Sequence, residues 1–153
     1  MTYKLGTFVV KEGESVNITD PCFHKGTWYR QDINVVPGTY KVYYKKIQGR
    51  IVNLKAVNSA MTAEDRADLY TVLSNDIEVT SGLFGIFVDK PDYSPEEWLE
   101  MWDDVDNSPT TLLCSDGSEM RFRGGLIPIS NGMYTVYVKK RNDQIYCMEV
   151  RFE

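Results

Sequence analysis

The stretch GTYKVYYKKIQGRIVNLKAVN, Gly38 to Asn58, decides the fold. Tyr40, Val42 and Tyr44 alternate with Lys41, Tyr43 and Lys45. Beyond Gln48-Gly49, Val52, Leu54 and Ala56 alternate with Asn53 and Lys55. A period of two sends alternate side chains to opposite faces of a strand, and a Gln-Gly pair between two such runs predicts a β-hairpin. The C-terminal stretch GMYTVYVKKRNDQIYCMEVRFE lies on this unit without gaps. Gly38, Tyr40, Val42, Tyr43, Lys45, Lys46 and Ile51 match Gly132, Tyr134, Val136, Tyr137, Lys139, Lys140 and Ile145. Residues 38–59 and 132–153 therefore read as an internal repeat, either a duplication or two equivalent structural places, with convergence of two tyrosine-rich hairpins as the alternative.

Working outward, GTFVVKEGESVNITD suits a hairpin turning at Gly13, and Asp20-Pro21 ends its second strand because proline donates no backbone hydrogen bond. Cys22 to Asp32 reads as a long connection, and Ile33 to Val36 as a short strand stopped by Pro37-Gly38. Thr62 to Leu73 carries a weak capping box and predicts a short helix. DIEVTSGLFGIFVDKP reads as strand, glycine turn, strand. SPEEWLEMWDDVD predicts an amphipathic helix, capped by Ser94 and Glu97, with Trp98, Met101, Trp102 and Val105 on one stripe. Thr110 to Cys114 and Glu119 to Ile129 add two strands, and Gly124-Gly125 marks a bulge or a close backbone approach. The expected fold is one α+β domain over residues 1–153. It is mainly antiparallel β: seven to nine strands in a curved sheet or open barrel of hairpins, with one amphipathic helix packed on it.

The formal net charge is -5, which disfavours generic nucleic-acid binding. No apolar run is long enough to span a bilayer, and the N-terminus lacks the basic start and apolar stretch of a secretory signal. Cys22, Cys114 and Cys147 are odd in number and unpaired in spacing, so they read as reduced thiols of a cytoplasmic protein.

One cluster suggests catalysis. Asp20, Cys22 and the lone histidine His24 would share one side of an extended chain. Residues two apart are roughly 6.6 Å apart with side chains parallel, not convergent, and the cysteine stands where a relay would need the histidine. The stretch reads instead as a corner, with Asp20 accepting backbone N–H bonds and Cys22 packed as a small apolar group. The spacing of Cys22 and His24 fits zinc poorly, so neither a metal nor a cofactor is expected. Cations beside aromatic rings are the other signal. Lys45-Lys46 and Lys139-Lys140 read as solvent-facing lysines that blunt sheet edges. Arg121 and Arg123 lie two apart on one face and, with Tyr40 and Tyr134 of the paired hairpins and Ser81-Gly82 of the glycine turn, form the expected pocket for an anionic, stackable ligand.

Asp20-Pro21-Cys22-Phe23, Gly38-Thr39-Tyr40, Arg50, Ser81-Gly82-Leu83-Phe84-Gly85-Ile86-Phe87, Gly124-Gly125-Leu126 and Gly132-Met133-Tyr134 occur in an order covering nearly the whole chain. In this the sequence resembles a group of small uncharacterised proteins from bacteria and their phages, a domain of unknown function. It departs from that pattern at Thr80, where the group has Asp, and at Phe23, where Tyr is common. The resemblance implies a setting in the bacterial cytoplasm and brings no established reaction. The leading expectation is a non-enzymatic binding protein, a phage accessory or counter-defence factor that captures a small anionic, nucleotide-like ligand or a host protein. The alternatives are a thiol- or general-base hydrolase centred on Asp20, Cys22 and His24, and a structural subunit forming an oligomer through a sheet edge.

Overall fold

A computed structural model describes residues 2–20, 30–60, 69–80, 82–89, 112–116 and 123–152. The chain order is β1 (Thr2–Val10), β2 (Ser15–Thr19), β3 (Arg30–Asn34), β4 (Gly38–Ile47), β5 (Arg50–Asn58), β6 (Thr71–Val79), β7 (Leu83–Asp89), β8 (Leu113–Asp116), β9 (Arg123–Pro128), β10 (Gly132–Arg141) and β11 (Gln144–Arg151). They form two antiparallel sheets, a six-stranded one ordered β1-β4-β5-β11-β10-β6 and a five-stranded one ordered β3-β2-β7-β9-β8.

The architecture corrects the α+β expectation. The described residues are all β, with no helix among them, and neither sheet closes into a barrel. The helix expected over Ser94 to Asp106 lies outside the described residues. Of the helix expected over Thr62 to Leu73, the described end, residues 69–73, is not helical and enters strand β6 at Thr71, because pairing with β10 outweighs a weak local helical preference. The described strands number eleven rather than seven to nine. GTFVVKEGESVNITD is not a hairpin either. Its turn, with Gly13 at φ 85° and Glu14 N–H donating to Lys11 C=O at 3.0 Å, carries the chain from one sheet into the other.

The two tyrosine hairpins share their construction. Each closes with a two-residue turn at positive φ, Gln48 (52°) and Gly49 (78°) in one, Asn142 (52°) and Asp143 (63°) in the other. This geometry matches the right-handed twist of paired strands. Each has a register shift at the same place, between Lys45 and Lys46 and between Lys139 and Lys140. The phenols of Tyr40 and Tyr134 donate to the carbonyls four residues upstream, of Val36 (2.6 Å) and Ser130 (2.5 Å). The hairpins lie side by side through β5 and β11, in a register that sets Lys55 opposite Glu149, its own counterpart in the alignment. A local two-fold axis thus passes between these two residues.

The pattern reaches beyond the hairpins. β1 flanks β4 as β6 flanks β10, with Val10 opposite Gly38 and Val79 opposite Gly132. Both flanking strands then turn at a glycine of positive φ, Gly13 or Gly82, into the second sheet, where β2 and β7 pair antiparallel. The strands β3 and β9, which precede the hairpins, pair with β2 and β7 respectively. Among the described strands only β8 falls outside this correspondence.

The core lies between the sheets. Phe8, Tyr40, Val42, Leu54, Ala56, Val136, Met148 and Val150 of the first sheet meet Val16, Ile18, Phe84, Ile86 and Ile127 of the second in one buried cluster. Gly124 and Gly125 mark a close approach. Gly124, at φ 147°, lies against the backbone of Phe87, and a Cβ on Gly125 would come within 3.0 Å of Val42. No helix of the described residues is long and apolar enough to cross a membrane.

Candidate ligand-binding site

The alternation that buries Tyr40, Val42, Leu54 and Ala56 turns Lys41, Tyr43, Lys45, Asn53, Lys55 and Val57 to the outer face of the six-stranded sheet. The same rule places Tyr137, Lys139, Cys147, Glu149 and Arg151 on that face of β10 and β11. Here the surface forms a hollow of about 580 Å³, lined by Lys41, Tyr43, Lys45, Lys55, Lys139 and Glu149 with Thr2, Asn53, Val57, Asn58 and Ser59. That volume falls within the range of small-molecule sites, roughly 300 to 1,000 Å³.

The charge is one-sided. Among the described residues four lysines converge on the hollow against one carboxylate, in a chain whose net charge is -5. The carboxylate is already occupied: Glu149 accepts from Arg151 Nη2 at 3.1 Å and from Asn53 Nδ2 at 3.0 Å. Lys41, Lys45 and Lys55 form no ion pair among the described residues. The strands that carry them are interior to the sheet, flanked on both sides, with β1 and β6 at the edges. Edge protection, the reading first given to Lys45 and Lys139, therefore does not account for them.

Beside the hollow, the face is filled by an aromatic side chain. The Tyr70 ring stands edge-on to Tyr137 with centroids 6.5 Å apart. Lys139 Nζ lies 4.7 Å from its centre and the Arg151 guanidinium 5.2 Å. Arg151 also covers Tyr137 at 4.0 Å, and the Tyr70 hydroxyl lies 3.7 Å from Cys147 Sγ. Burial is the main cause that raises both the Tyr70 phenol and the Cys147 thiol above their ordinary ranges, so both stay protonated at neutral pH.

The residues expected from sequence to bind are dispersed. Tyr40 is fully buried, stacked on Phe8 at 5.7 Å, and burial raises its phenol pKa. Tyr134 and Gly82 line a second hollow of about 470 Å³ with Lys46, Arg50, Ser130 and Phe152, which neither Tyr40 nor Arg123 reaches. Arg123 donates to both carboxylate oxygens of Glu14, at 2.7 and 2.5 Å, and to Val9 C=O at 3.0 Å, tying β9 to the turn after β1. Arg121 and Ser81 lie outside the described residues. So do Cys22 and His24 of the alternative catalytic cluster. Its third member, Asp20, is fully buried, and its carboxylate accepts the Thr80 N–H at 2.9 Å. Asp20 thus takes a backbone N–H from another strand connection. Cys114 and Cys147 are free thiols, and burial pushes Cys114 up to about 12. Among the described residues no group of His, Cys, Asp and Glu is placed to hold a metal ion.

Sequence reading missed Tyr43, Lys41, Lys55 and Tyr70 as site residues. The signal for the first three was the outward half of the alternation in Gly38–Asn58, once those strands are known to be central.

The fold and site define a class: a two-sheet antiparallel β protein with a cation-lined hollow on the outer face of one sheet. No protein-family model, curated protein or solved structure matches the chain.

Proposed function

We propose that this protein binds a small anionic ligand in the hollow formed by Lys41, Lys45, Lys55 and Lys139. The observation that carries the reading is the convergence of four lysines, on interior strands, around one carboxylate that is already paired with Arg151. An isolated surface cation contributes little, because water and salt screen it. Several cations converging on one recess focus their field there and favour a ligand of opposite charge. Tyr43 adds an aromatic wall, and Ser59, with the polar atoms of Asn53 beyond its bond to Glu149, offers hydrogen-bonding groups that orient a polar ligand. Capture of an anion agrees with the non-enzymatic binding role that is the leading expectation from the sequence.

The reading is tested by thermal shift with inorganic pyrophosphate and a panel of nucleotides at low and high salt. Stabilisation that weakens with salt and disappears in Lys45→Glu supports it. Stabilisation unchanged in Lys45→Glu and Lys55→Glu places the ligand elsewhere and overturns it, as does the lack of any response.

A further inference from the structure

The two-fold relation between the hairpins gives the hollow an internal comparison. Tyr70 packs among Tyr137, Lys139, Arg151 and Cys147. The register of the other hairpin makes Tyr43, Lys45, Val57 and Asn53 their respective counterparts. Tyr43 faces Lys55 as Tyr137 faces Glu149, Lys45 faces Asn53 as Lys139 faces Cys147, and Lys41 faces Val57 as Thr135 faces Arg151. All four counterparts line the open hollow. One half of the face thus holds an aromatic ring against a tyrosine and beneath a lysine ammonium. The other half repeats that tyrosine and that lysine around an open space.

From this we infer that the ligand is an aromatic anion of the nucleotide class, whose planar ring occupies beside Tyr43 the place that Tyr70 occupies beside Tyr137. The inference rests on the anion-binding reading and adds the ring to it. Lys45 lies over the ring as Lys139 lies over Tyr70, a cation–π arrangement, and Tyr43 supplies an aromatic partner. The phosphate faces Lys41 and Lys55. At the position where the filled half has Arg151, the open half has Val57, a smaller apolar side chain that leaves room for a ring larger than a phenol.

Calorimetric titration with adenosine 5′-monophosphate and with ribose 5-phosphate separates the two ideas, because the probes share the charged end and differ by the ring. The expected result is a preference for the nucleotide of about tenfold or more, lost in Tyr43→Ala and kept in Tyr43→Phe. Equal affinity for the two probes, or a preference that survives Tyr43→Ala, overturns the ring and leaves the anion site standing. Failure of both probes to bind the wild-type protein overturns the anion site, and the ring with it.

Discussion

Lys55 and Glu149 face each other across the seam between β5 and β11, and each holds in its own hairpin the position that the other holds in the second. The local axis between them relates two similar scaffolds with different outer faces. On the Glu149 side the carboxylate takes Arg151, and Arg151 with Lys139 holds the Tyr70 ring. On the Lys55 side no described residue supplies such an acid, and the cations Lys41, Lys45 and Lys55 surround the hollow. One backbone plan, laid down twice, gives a filled half and an open one.

In the filled half a tyrosine hydroxyl lies against a thiol. Cys147 is fully buried, and the Tyr70 hydroxyl lies 3.7 Å from its sulfur. Tyr70→Ala is expected to expose Cys147 and to raise its alkylation rate by iodoacetamide at least tenfold, read by peptide mass mapping of the folded protein. An unchanged rate would mean that Tyr70 does not shield it.

The two corner tyrosines differ in burial, and their hydroxyls should differ in worth. Tyr40 is fully buried and donates to Val36 C=O, whereas the bond from Tyr134 to Ser130 is exposed. Tyr40→Phe leaves a carbonyl without its donor and should cost about 1 to 3 kcal/mol, while water replaces the donor in Tyr134→Phe, for a loss under about 1 kcal/mol. Urea unfolding midpoints of the two variants check the order.

Gly124 is held at φ 147° with the Phe87 backbone where a side chain would begin. Gly124→Ala combines backbone strain with a clash that neither strand can relieve, and should destabilise by more than about 2 kcal/mol. Gly49 has φ 78° but open space around it, so Gly49→Ala should cost only about 1 kcal/mol. Thermal unfolding of the pair separates strain from crowding.

The Glu14 carboxyl is lowered from 4.5 to about 2, chiefly by the Arg123 guanidinium that donates to it. A carboxyl depressed in the folded state contributes stability that is fully present above its unfolded pKa and is lost as pH falls through the folded one. Wild-type stability should therefore fall between pH 4.5 and about 2 more steeply than that of Glu14→Gln. Parallel acid-unfolding curves for the two proteins would contradict the pairing.

The hairpins were legible because alternation and turn are local, and Gly38 to Asn58 carries both. The division into two sheets was not. Lys11 to Glu14 has the form of a hairpin turn, and only the distant partners of β1 and β2, in β4 and β7, send the chain across the core. The arginine expected to bind a ligand was named without its carboxylate partner, because Arg123 and Glu14 stand 109 positions apart in the chain. Tyr70 was invisible for the same reason, since its neighbours Tyr137, Lys139, Cys147 and Arg151 are brought to it only by the pairing of β6, β10 and β11. The lysines of the hollow were seen in sequence, but their meaning turned on whether β4 and β10 were edges, which no local pattern records.

The claim that the lysine hollow holds an anion is tested most directly by titrating isotope-labelled protein with inorganic pyrophosphate and following its backbone amide resonances. The account predicts saturable shifts concentrated at Lys41 to Lys45, Asn53 to Ser59 and Lys139, on the outer face of β4, β5 and β10. Shifts centred instead on the hollow of Lys46, Arg50 and Tyr134, or no saturable shifts at all, would contradict it.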